Sequence, residues 1–338
     1  MIKNNHRYLF LFLFCLSTQL SLQAQNKFDE YAQAKVYLIK GDYLNATTLL
    51  KKLITFDSTD IELKKDLAIC YNFQREYDNA IQTLKPIVDK EKADDQCFQI
   101  LGNSYRALKL TDDCKLLFLK GIAKFPDNGP LYNEMADLLW SIKDNTCIKY
   151  WEKGIQKDYE YSKNYYNACR YYNNIGENTW CLIYGEVFVN MEPNNSRTPE
   201  IKKILLDNYR KILTEVITDS VLSSKNKFTQ QYLGTIYKQY KSVQNGIDVT
   251  SLSLLRIRFI IDWFKDDNTE FPHQLFSFHQ SLLRNGMFDA YNQWLLGSSD
   301  DLDAFNSWTK IHLQEYNEFI NYYKSVTFKM LANQFYNN

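Results

Sequence analysis

Residues 95–126 read DQCFQILGNSYRALKLTDDCKLLFLKGIAKFP, and four other stretches of the chain follow the same plan. Within this one, Phe98, Leu101, Gly102 and Tyr105 recur at helical spacing, Cys114 and Phe118 lie one turn apart, and Pro126 closes the stretch. Carried along the chain, the small residue at Gly102 becomes Ala34, Ala68, Gly102, Ala136 and Cys169, at intervals of 34, 34, 34 and 33. The large residue three places later is Tyr37, Tyr71, Tyr105, Leu139 and Tyr172, with the same intervals. A second small position runs Ala46, Ala80, Cys114, Cys147 and Cys181, at 34, 34, 33 and 34. One column would be weak, but three in a common register define a repeat. The single missing residue falls in a turn at 141–146.

The columns have a physical cause. Two antiparallel helices cross closely only where both facing residues are small, and a large side chain beside the crossing fills the wedge to the next pair. Each hairpin leaves an apolar face uncovered, so neighbours must stack to bury it. The spacings of Phe98, Leu101, Gly102, Tyr105, Cys114, Phe118 and Pro126 match W-x2-L-G-x2-Y, A-x3-F and P. The chain thereby resembles the tetratricopeptide repeat (TPR) family over residues 28–193. That resemblance implies an all-α fold: a right-handed superhelix of five antiparallel helix pairs, A then B, near 28–56, 61–90, 95–124, 129–157 and 162–190. Turns such as Gly41-Asp42-Tyr43, Arg75-Glu76-Tyr77 and Gly176-Glu177-Asn178 link A to B, and Pro126 and Pro193 close repeats three and five. Pro86, inside the second B helix, predicts a kink or a shortened helix.

The resemblance also implies a binding scaffold without catalysis, its A helices lining a groove for a protein or peptide. By register that groove includes Lys65, Asn72, Phe73, Gln99, Asn103, Arg106, Asn133, Asp137, Trp140, Tyr166, Arg170, Asn173 and Asn174. Amides with two Arg and a Trp suit extended peptide backbone. The clamp with which some members hold a C-terminal carboxylate is not reproduced, because Ile69 and Ile100 stand where it needs Asn.

The start of the chain reads as a signal peptide of residues 1–24. Lys3 and Arg7 precede an apolar run at 8–22, and Leu22-Gln23-Ala24 suits cleavage after Ala24. Cys15 follows bulky Phe14, which does not suit lipid attachment. Export to the periplasm or cell envelope, or secretion, is the expectation, with no transmembrane span in the mature chain. An oxidising compartment gives Cys169 and Cys181 two readings: a disulfide across one hairpin crossing, or two small buried hydrophobes.

From residues 194–199 the register is lost, so residues 25–196 form the solenoid and 197–338 a helical domain or extended cap. Helices are predicted near 201–217, 228–243, 249–264, 272–283 and 287–296, with a long last one whose stripe runs from Leu302 to Met330. That stripe suits either a homodimer seam or a cap on the last hairpins. The aromatics of this half, Trp263, Phe264, Phe271, Phe276, Phe278, Trp294 and Trp308 among them, read as core, with a ligand or glycan platform as the alternative function.

Lys and Arg number 40 against 40 Asp and Glu, and neither half carries an excess, so nucleic acid is not an expected partner. The chain has no G-x-S-x-G, H-E-x-x-H, G-x-x-x-x-G-K, G-x-G-x-x-G or C-x2-C motif. No catalytic residues, metal or cofactor are expected. His273 and His279, six residues apart, fall on different faces of a helix.

Overall fold

The computed structural model describes residues 27–215, 222–223, 225–243, 246–265 and 270–337. The signal-peptide stretch lies outside the described residues. No strand occurs among them. Two compact units are formed, one ending at Pro126 and one beginning at Asp127.

The first unit holds three hairpins. Residues 27–40 are helical (α1) and pair with α2, Tyr43–Phe56. Next come α3, Ile61–Phe73, with α4, Tyr77–Asp89, and α5, Asp95–Ala107, with α6, Thr111–Lys124. The second unit opens with α7, Gly129–Ser141, α8, Cys147–Lys157, α9, Ser162–Ile175, and α10, Asn178–Met191. All five predicted pairs form at the predicted places. Every Ala and Cys of the two small columns is fully buried. At the α5–α6 crossing a Cβ on Gly102 would come within 2.3 Å of the Phe118 ring, so nothing larger than hydrogen fits there.

Each A helix needs a group for its orphan amides. Asp60, Asp94 and Asn128, again 34 apart, accept from Leu63, Cys97 and Leu131 N–H. The A-to-B turn is reversed by a residue with positive φ in every hairpin: Gly41 (75°), Arg75 (63°), Lys109 (58°), Lys143 (61°) and Gly176 (77°). Pro86 does not shorten α4, which continues to Asp89. Pro86 and Gln82, whose carbonyl loses its i+4 donor, are both exposed, so the missing bond falls on the solvent side of the helix.

Past residue 197 the second unit contains α11, Thr198–Thr214, α12, Lys227–Lys238, a 3-10 turn at Tyr240–Val243, α13, Val249–Trp263, and α14, Gln274–Arg284. Two expectations are corrected here. The helix expected at 287–296 is α15, Phe288–Asn292, running into a π turn at Gln293–Gly297 and a short turn at Ser298–Asp300. The long final helix is broken at His312 into α16, Leu302–Ile311, and α17, Leu313–Ser325, and residues 326–337 are not helical. The break re-aims the stripe. Phe319 is fully buried and Tyr323 reaches Asn190, whereas α16 buries no residue and leaves Leu302 and Ile311 exposed.

The non-helical end works as a strap inside the second unit. Phe328 packs edge-on to Phe278, and Tyr336 stacks on Phe228 at 5.2 Å while its hydroxyl donates to the Pro272 carbonyl. Asn337 donates to the Tyr172 hydroxyl and to Glu152. Phe228, 1% exposed, is ringed by Trp180, Trp263, Phe271, His273, Phe276 and Tyr336. Trp263, Phe276 and Phe278 are therefore core, while Phe264, Phe271, Trp294 and Trp308 stay partly accessible.

Candidate binding surface on the A helices

In the first unit, several register-selected residues turn inward. Lys65 is 4% exposed and ion-paired to Glu62 and Asp94, and it also donates to Gln96. Asn72 donates to the Ile100 carbonyl at 3.1 Å and accepts from Ser104 Oγ at 2.7 Å. These are bonds from one A helix to the next. Gln99 is half-buried beside Asp95. Asn103 is exposed and accepts from Arg106 Nη2 at 3.0 Å, and the guanidinium lies over the Phe118 ring. Phe73 is 62% exposed and stacks in parallel on Tyr43, centroids 4.4 Å apart.

The second unit divides the same way. Asn133 is fully buried, bonded to Asp137 and to Asn167, one repeat away. Asn173 accepts from Asn208 of α11 at 2.8 Å. Tyr166 is buried and donates to Glu200, and exposed Arg170 pairs with the same carboxylate while lying over the Tyr166 ring. Trp140 is 36% exposed and leans on Trp151 and Tyr171. Asn174 is exposed.

The surface that remains is thus Phe73, Gln99, Asn103 and Arg106 in one unit, and Trp140, Arg170 and Asn174 in the other. Register places a residue on a face but does not say whether a neighbouring helix takes its polar atoms. The missed signal was the partner itself: Asn133 and Asn167 stand 34 apart, and Asn173 and Asn208 stand 35 apart.

Cys169 and Cys181 do meet at their crossing, fully buried thiols with sulfurs 3.7 Å apart. The hydrogen bond between them, then burial, pushes the Cys169 thiol well above its ordinary range.

Sequence reasoning also missed a buried polar centre. Glu186 on α10 accepts from Arg256 Nη2 and from the Tyr291 hydroxyl at 2.7 Å, with His279 Nε2 at 2.9 Å. Asn190 donates to the Tyr291 hydroxyl and accepts from Tyr323. Burial alone would raise the Glu186 carboxyl, but Arg256 and His279 outweigh it and hold it down at about 2. The guanidinium carbon lies 5.5–5.7 Å from the ring centres of Tyr209, Phe288 and Tyr291, so aromatic faces complete its surroundings. Burial keeps His279 low despite Glu186, and lowers His273 to about 3. Burial thus leaves both histidines below the ordinary imidazole value. A lone Glu in WCLIYGEVFVN, where every neighbour is buried, was the available clue. No cluster of three groups that could hold a metal occurs among the described residues.

No protein-family model matches the chain, and no curated protein does. Among solved structures it is similar to MamA, at 19% identity over 53% of this chain and 95% of that one, with a TM-score of 0.39. It is also similar to TTC0263, a thermophilic TPR protein of Thermus thermophilus, at 12% identity, 54% and 99% coverage and a TM-score of 0.44. A third is PilF of Pseudomonas aeruginosa, at 12% identity, 55% and 83% coverage and a TM-score of 0.47. The consecutive hairpins, with buried small columns at a spacing of 34 residues, are consistent with tetratricopeptide repeats.

Proposed function

We propose that the chain is an exported scaffold whose A-helix faces dock a protein or peptide of the cell envelope. The observation that carries the docking reading is what stays outside once inter-repeat bonds are subtracted. Asn103 and Arg106, hydrogen-bonded to each other one turn apart on α5, present an amide and a guanidinium at the surface, and Phe73 offers an exposed ring on α3. Exposed aromatic and Arg side chains are the residue types that dominate association energies. Export rests on Lys3, Arg7, the apolar run and Ala24.

Two experiments test this. Capture from envelope extracts with the unaltered protein and with Phe73→Ala/Arg106→Glu should differ in specific partners, and identical partner sets would remove the surface from consideration. N-terminal sequencing of the protein from an extracytoplasmic fraction should begin at Gln25; an intact start in the cytoplasm would refute export.

A further inference from the structure

A cavity of about 410 Å³ lies within the second unit, between the start of α13, the π turn and α16. Its walls carry three carboxylates, Asp248, Asp300 and Asp301, the rings of Phe305 and Trp308, and the amide of Gln293. Asp300 is ion-paired to Arg210 and accepts from Val249 N–H. Asp248 and Asp301 form no ion pair among the described residues; each accepts a backbone N–H as a helix cap, from Ser251 and Ala304. Helix N-termini carry roughly half a positive charge each. Two carboxylates facing two such ends leave a net negative cavity.

Gln293 supplies the second observation. It is 7% exposed, lines the cavity and hydrogen-bonds to no group among the described residues. Its Oε1 lies beside Gly297, another wall residue: a Cβ built there would stand 2.7 Å from Gln293 Oε1 and 2.6 Å from Phe305. The amide oxygen therefore sits against the cavity wall. An occupant with N–H donors can supply the hydrogen bond that this amide does not make to the described residues.

A small metal ion does not suit this arrangement. The carboxylates are spread around a wide space, already accept capping hydrogen bonds, and form no ligand cluster among the described residues. Anions are opposed by Asp248 and Asp301. What fits dispersed negative charge, aromatic faces and an acceptor amide is a large cation with N–H donors and an alkyl body.

We propose that this cavity binds an alkylammonium, presented either by a free polyamine or by the lysine side chain of a peptide. The site is independent of the A-helix surface.

Calorimetric titration of the full mature chain at low salt, with spermidine in one arm and Nα-acetyl-lysine methylamide in the other, tests it. Saturable one-to-one binding in either arm supports the site, and the arm that binds tighter identifies the source. Asp248→Asn/Asp301→Asn retains both caps, because Asn caps as well as Asp, while removing two charges. It should weaken binding at least tenfold with an unchanged helical spectrum. Gln293→Leu and Trp308→Leu should each weaken it several-fold. No saturable binding in either arm at millimolar concentration, or binding undiminished in the charge-removed variant, overturns the proposal.

Discussion

The side-chain hydrogen bonds described in the unit that ends at Pro126 reach about one repeat. Tyr31 donates to Asp66, 35 residues on, Asn72 to Ile100 over 28, and Lys120 to the Val88 carbonyl over 32. In the other unit they also span far longer intervals: 101 residues from Asn190 to Tyr291, 133 from Asn190 to Tyr323, and 165 from Tyr172 to Asn337. The first pattern is that of a stack, where each hairpin answers to its neighbours and stability is close to a sum of repeat and interface terms. The second closes on itself around Glu186 and Phe228. A stack can lose one contact and fray locally, whereas a closed core built on a buried ion pair fails as a whole.

The sharpest way to break this contrast is Arg256→Met. Removing one partner leaves Glu186 buried without its guanidinium, and such losses run to about 3–5 kcal/mol. Urea unfolding should show that fall, and Arg256→Met/Glu186→Leu should regain part of it, because two apolar groups replace two charges. In the stack, Lys85→Ala removes an exposed i,i+4 pair with Asp89 and should cost well under about 1 kcal/mol. Equal effects of the two single substitutions would contradict the comparison.

Acid separates the regions next. His273 and His279 are held below their ordinary pKa by burial, so the unfolded chain binds their protons first as pH falls. Stability is intact above pH ~6.5 and declines below it, by about 1.4 kcal/mol per pH unit for each such group. For His273 the decline continues towards its folded value of about 3. Glu186, depressed from its ordinary 4.5 to about 2, adds a loss of the same sign below pH 4.5. Glu152 works in the opposite direction, its carboxyl raised by burial against the hydrogen bonds of Tyr172, Asn337 and Tyr184. The unfolding midpoint should drop between pH 7 and 5, and His273→Asn, which retains an acceptor for the cap to Leu275 N–H, should flatten that drop. A pH-independent midpoint would mean that the histidines are solvated.

How much of this was legible follows from the same contrast. A repeat writes its constraints again every 34 residues, so Ala68, Gly102 and Ala136 were readable as one crossing and Cys114 as its partner. Nothing recurs in the strap: the contact of Tyr336 with Phe228 leaves no periodic trace, and the stripe from Leu302 to Met330 continued on paper through a break at His312. The candidate surface was half legible. Asn103 and Arg106 stay outside, but Lys65, Asn72 and Asn133 answer to neighbouring helices, which spacing along one helix cannot reveal. Glu186 and Gln293 were invisible because one polar residue in an apolar helix has no pattern to belong to.

Gly102→Ala probes the stack at its tightest point. The Phe118 ring must leave its place to admit the Cβ, and overpacking of this kind costs about 1–3 kcal/mol. Thermal unfolding should register the loss, and Gly102→Ala/Phe118→Leu should recover some of it by opening the crossing. Full stability of the single variant would show that the helices move apart freely, against the burial of both columns.

The smallest effect is also the most specific to the repeat. Arg75, Lys109 and Lys143 occupy the left-handed turn position that Gly41 and Gly176 hold in the outer hairpins. A side chain there is strained by roughly 1–2 kcal/mol, while glycine gives back roughly 0.5–1 kcal/mol through the entropy of the unfolded chain. Lys109→Gly and Lys143→Gly should therefore stabilise their own units slightly, by about 0.5 kcal/mol each. The same change one residue later, at Leu110, where φ is −79°, should destabilise. Unfolding midpoints of these variants measured together decide it: a Lys109→Gly that loses stability would mean that the turn does not hold the left-handed conformation in solution.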